Sequence, residues 1–129
     1  MALALNQIGQ IAMGVSNADK AEAFYGGTLG LRKLFRFGAI VFFDCAGVRL
    51  MLSQASEREP MAPTSPIYFK VADIAVARRE LEARGVVFVD NIHLVSPMED
   101  HDLWMTFFRD PDEHLLALMC EAPKGFKPV

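Results

Sequence analysis

The chain is written twice within 129 residues. In the first half, residues 7–15 alternate and read as a strand with Ile11, Met13 and Val15 on one face. Asn17 stands where it would cap a helix over 18–28, in which Ala21, Phe24 and Tyr25 recur at i, i+3 and i+4, and Gly30 stops it. Short strands follow over 32–37, 39–44 and 48–53, separated by Gly38 and by Ala46-Gly47. Residues 54–65 are polar, hold two prolines and carry no period, so they read as a linker. The order then returns: a strand over 66–71, Asp73 as cap, a helix over 74–84 with Val76, Ala77 and Leu81 on one side, Gly85 as its stop, and strands over 86–95, 102–109 and 114–119. Val15-Ser-Asn17 answers Val71-Ala-Asp73 at a shift of 56, Phe42-Phe43 answers Phe107-Phe108 at 65, and Leu50-Met51-Leu52 answers Leu116-Ala117-Leu118 at 66. The growing shift puts an insertion of roughly ten residues at about 92–102. Two βαβββ modules, about 7–53 and 66–122, are each too short to stand alone, so they are expected to share one core in a single pseudo-symmetric α+β domain spanning 1–129.

Composition removes whole classes of function. The chain is 52% hydrophobic and 22% charged, which is globular rather than disordered. Sixteen acids against thirteen bases give a net charge of −3, so no basic face points to a nucleic-acid partner. The longest apolar runs, such as 115–120, fall far short of the ~20 residues that cross a bilayer, so no membrane partner is expected. The first residues carry neither a basic n-region nor a long apolar stretch and do not read as an export signal. Cys45 and Cys120 stand 75 residues apart with no CxxC and no adjacent histidine, a spacing that suits buried, reduced thiols in a cytoplasmic protein.

The strand leading into Val15-Ser-Asn-Ala-Asp-Lys-Ala-Glu-Ala-Phe-Tyr25, followed by Leu29-Gly-Leu31, resembles the opening of the vicinal oxygen chelate superfamily, which includes glyoxalase I, extradiol dioxygenases and the bleomycin resistance proteins. Phe69-Lys-Val-Ala-Asp73 and Phe108-Arg-Asp-Pro-Asp-Glu-His114 resemble its second-half signatures. The resemblance implies that each module curls into half of a barrel-like cleft, built within one chain or across two, and that the chain forms a homodimer. It also implies metal-ligand positions on the first and last strand of each module. These fall at Gln10, at Met51, near Pro66 and at Ala117. A proline and an alanine offer no donor, a thioether prefers soft metals, and a single neutral amide does not hold a divalent ion. No metal and no cofactor are therefore expected. The remaining donor set, His93 and His101 with Glu99 and Asp100 between them, is chemically competent but lies on a loop without defined geometry. His114 reads as a surface turn histidine.

Alternation assigns Gln10, Ala12, Gly14, Arg49, Met51, Ser53, Tyr68, Lys70, Leu115, Ala117 and Met119 to the cleft, a largely apolar floor with a few hydrogen-bonding groups. The expected ligand is a small apolar or aromatic molecule, possibly anionic, bound by Gln10, Arg49, Met51, Trp104, Ala117 and Met119. Trp104 either stacks on a planar ligand or covers the core edge, and Arg49 either binds an anion or pairs with an acid. Three functions remain open. One is a metal-free binding protein of bleomycin-resistance type. A second is a glyoxalase-like lyase, isomerase or dioxygenase whose chemistry rests on His93, His101, Glu99 and Tyr68. The third is an interaction module with a vestigial cleft.

Overall fold

The computed structural model describes residues 3–128. Residues 1 and 2, where the search for an export signal begins, lie outside the described residues, as does 129. The chain divides into two compact units, Met1–Ala62 and Pro63–Val129, each one βαβββ module. The first contains β1 (Gln10–Val15), α1 (Ala18–Glu22), β2 (Arg32–Phe37), β3 (Ile40–Cys45) and β4 (Val48–Gln54). The second contains β5 (Ile67–Lys70), α2 (Ile74–Ala83), β6 (His93–Pro97), β7 (Asp102–Arg109) and β8 (Leu115–Ala122). The strand orders, β1-β4-β3-β2 and β5-β8-β7-β6, are the same permutation. In both, the opening strand runs parallel to the closing one and the other pairs are antiparallel. Neither sheet closes on itself. The helix of each module covers one face, and the opposite face carries no helix of its own module.

Local chemistry explains why the elements begin where they do. Asn17 sits in extended geometry and accepts a hydrogen bond from Lys20 N, and Asp73 accepts from Ala75 N and Val76 N. Under α1, the alternating residues Met13, Val15, Val41, Phe43, Leu50 and Leu52 are buried with Ala18, Ala21 and Tyr25. Under α2, Phe108, Leu116, Leu118 and Cys120 are buried with Ile74, Ala75 and Leu81.

Several elements depart from the periodicity-based reading. The helix expected over 18–28 is α-helical only to Glu22 and continues as a π-helical segment, Ala23–Thr28, in which Leu29 N bonds Phe24 O five residues back. Gly26 permits this path, because a Cβ there would stand 3.0 Å from Phe43 Cε1. β1 starts at Gln10, in register with Arg49 of β4, rather than at 7. Ile11, expected in the core, is exposed. On α2 the buried stripe is Ile74, Ala75 and Leu81, whereas Val76 is exposed; Arg78 occupies the stripe one turn beyond Ile74, with its guanidinium 4.6 Å from the Phe88 ring centroid.

The strand expected over 86–95 forms only from His93. Before it, Phe88 makes a lone bridge to Phe108 and Val89 N bonds Phe107 O. The inserted residues lengthen the β6–β7 hairpin. Phe37 pairs Ile40 across two residues, whereas the pair at the corresponding place, His93 with Met105, spans eleven. His114 is not a surface residue. It is buried, its N–H bonds Asp110 Oδ1, and its ring stands 3.4 Å from Thr64 Oγ1.

Candidate functional site

On the helix-free face of the second sheet, one row of side chains crosses all four strands. The register Tyr68–Ala117–Phe107 runs from β5 through β8 to β7, and His93 on β6 pairs Met105 next along. Ala117 is fully buried and small, so the Tyr68 and Phe107 rings meet over it edge to face at 5.9 Å. On the other side of Phe107 the His93 ring lies nearly parallel to it at 6.2 Å. Met119 and Lys70 continue this face, where Lys70 Nζ pairs with Glu121 at 3.3 Å.

Behind His93 lies a polar cluster that sequence reasoning missed. Asp90 Oδ1 accepts from Thr106 Oγ1 and from Phe107 N, both at 2.9 Å. Arg78 Nη1 donates to Asp90 O at 2.7 Å and to Thr106 Oγ1 at 2.8 Å. Asp90 thus supplies the acceptor that a regular strand would give β7 at this point. Its second oxygen stands 3.4 Å from His93 Nδ1, which also lies 2.9 Å from Asn91 O. The visible signal was an aspartate closing the apolar run Val86-Val-Phe-Val-Asp90 three residues before a histidine.

The other sequence-derived candidates divide. His101 sits at the hairpin end four register positions from His93, pairing with Asp100 at 2.7 Å and holding that carboxyl below its ordinary range. Glu99 is exposed at the hairpin tip, six residues before Met105, the register partner of His93. Among the described residues no group of three His, Cys, Asp or Glu side chains is disposed to hold a metal ion. Trp104 pairs Cys120 and Leu94 and therefore faces the α2 side, away from Tyr68 and Phe107. It packs edge-on against Phe126 at 6.5 Å with its indole N–H buried and without a partner among the described residues, so its place is at the core edge.

On the first sheet, the two positions marked for metal ligands do come together: Gln10 Nε2 lies 3.8 Å from Met51 Sδ. An amide and a thioether at this pair, with Pro66 and Ala117 at the other two positions, do not fit a hard divalent ion. Arg49 lies beside Gln10 in register with its guanidinium 5.7 Å from the Phe42 ring, which stacks on Phe35 at 4.5 Å. Residue 61 of the linker folds onto this face, since a Cβ on Gly14 would stand 3.2 Å from Met61 Cγ.

A separate cavity of about 420 Å³ opens on the helix side of the first module, among Asp19, Glu22, Lys33 and Arg36. Its charges pair with one another: Arg36 reaches Asp19 at 2.7 Å and Glu22 at 3.0 Å, and Lys33 reaches Glu22 at 3.1 Å. The Lys33 and Arg36 bonds pull the Glu22 carboxyl below its ordinary range. Both cysteines are free, and burial raises both thiols, which keeps them protonated and unreactive near neutral pH.

A βαβββ module with opening and closing strands parallel, repeated once in a single chain, defines the glyoxalase-like fold class. The family model described as Glyoxalase/Bleomycin resistance protein/Dioxygenase superfamily matches residues 7–118, and the chain belongs to that superfamily. Solved structures of the same fold include lactoylglutathione lyase from Agrobacterium tumefaciens, with 21% identity, 94% of this chain and 98% of that chain covered, and a TM-score of 0.73. An integron cassette protein from the mobile metagenome of V. cholerae has 17% identity, covers 93% and 98%, and scores 0.76. A glyoxalase/bleomycin resistance protein/dioxygenase from Alicyclobacillus acidocaldarius has 19% identity, covers 90% and 92%, and scores 0.71. Among the described residues no helix is long and apolar enough to cross a membrane.

Proposed function

We propose that this chain is a small-molecule-binding member of its superfamily that works without the divalent metal, taking a small apolar or aromatic ligand on the helix-free faces of its sheets. The observation that carries this reading is the donor chemistry at Gln10, Met51, Pro66 and Ala117. In place of ligand groups these faces offer rings and apolar side chains, Phe35 and Phe42 on one sheet and Tyr68, Phe107 and Met119 on the other. Arg49 and Lys70 suit an anionic substituent.

The large exposed apolar side chains of edge strand β2, Phe35 and Phe37, support a homodimer that covers them. Two free cysteines suit the cytoplasm. A second reading, a metal-independent lyase or isomerase with His93 as base, is favoured by the acceptors that face its Nδ1.

In a thermal-shift screen, planar aromatic compounds at about a hundredfold above Kd should stabilise the protein by about 2.7 kcal/mol. Phe107→Ala should remove the effect of a ligand held on the second sheet, and Phe42→Ala that of one held on the first. A screen in which only zinc or nickel raises Tm would overturn the reading.

A further inference from the structure

We infer that His93 is a hydrogen-bond acceptor for a planar aromatic ligand bearing a hydroxyl, an acceptor fixed in place by Asp90. This rests on the small-molecule-binding reading above and names the ligand class for the second sheet. Two acceptors, Asn91 O at 2.9 Å and Asp90 Oδ2 at 3.4 Å, face His93 Nδ1. A bare nitrogen between two oxygens would be repelled by both, so Nδ1 carries a proton, and in the neutral ring the lone pair is therefore on Nε2. Among the described residues Nε2 has no hydrogen-bond partner, and the side chain is half exposed.

Asp90 is held for this task rather than mobile. Its other oxygen is pinned by Thr106, which is fully buried, and by the Phe107 backbone, and Arg78 clamps its carbonyl. The His93 ring lies at 16° to Phe107, which in turn meets Tyr68. A flat ligand stacked along this row brings its rim to the His93 edge, where a hydroxyl donates to Nε2. A ligand of the same shape without that hydrogen meets only a bare lone pair. Asp90 is a positioning residue: it acts through the histidine.

Two measurements test this. Long-range ¹H–¹⁵N correlation of the histidine rings in the ligand-free protein should find neutral His93 as the Nδ1–H tautomer, and Asp90→Asn should turn it into a mixture. An Nε2–H ring in the wild type overturns the proposal, whatever the protein binds. An unchanged ring in Asp90→Asn would leave Asn91 alone in charge of it and overturn the part given to Asp90. In fluorescence titrations, 2-naphthol and 2-methoxynaphthalene share a ring system and differ in the donor. His93→Phe, which keeps a flat ring on Phe107, should weaken 2-naphthol about tenfold and leave the methyl ether unchanged. Equal losses for both probes would overturn the acceptor role while leaving the binding reading intact. Failure of both probes to bind the wild-type protein would overturn both readings.

Discussion

Phe108→Ala is expected to destabilise the protein by about 3–5 kcal/mol, the range for deleting a buried phenylalanine ring. Phe108 is fully buried on the α2 side of the second sheet, opposite Leu116 and 5.2 Å from the Phe88 ring. It also forms the bridge to Phe88, so the cavity opens where 86–92 meets the sheet. The melting temperature should fall by on the order of 10 °C. Val87→Ala, one residue from Phe88 but 80% exposed, should stay within about 0.5 kcal/mol. Urea denaturation of the two variants checks both values, and equal costs would contradict the assignment of faces.

Asp90→Ala is the second large effect, about 2–3 kcal/mol, because the Phe107 N–H and the buried Thr106 hydroxyl lose their acceptor together. Asp90→Asn keeps an oxygen at the same place and should cost about 1 kcal/mol or less. The contrast separates hydrogen bonding from charge. If asparagine proved as costly as alanine, the carboxylate's charge beside His93 and Arg78 would be the stabilising factor, and the account of Asp90 as a substitute ladder acceptor would be wrong.

Much of this architecture is legible in the chain because the repeat is. Phe42-Phe43 and Phe107-Phe108 lie at the same register positions of β3 and β7, and the caps Asn17 and Asp73 start both helices. The face assignment from alternation holds for Met51, Tyr68, Ala117 and Met119, since period two survives wherever a strand is held in ladder register. It fails where pairing fails. Residues 86–92 look like a strand to any reading of periodicity, yet Asp90 supplies through its side chain what the backbone does not. Trp104 illustrates a different limit: alternation puts it on the opposite face from Leu103 and Met105, and only the register shows which face meets α2. The π-helical segment carries no periodic signal, and the close approach of Gly26 to Phe43 within it is a tertiary contact.

The central claim, that this member of the superfamily lacks the divalent-ion site and binds an organic ligand instead, is tested most directly by its metal stoichiometry. Elemental analysis of the purified protein, with calorimetric titration of Zn(II), Ni(II), Mn(II) and Fe(II), should find no stoichiometric ion and no saturable heat, because Gln10, Met51, Pro66 and Ala117 hold no adequate donor set. One tightly bound equivalent of any of these ions, lost on replacing Gln10 or His93 by alanine, would contradict it.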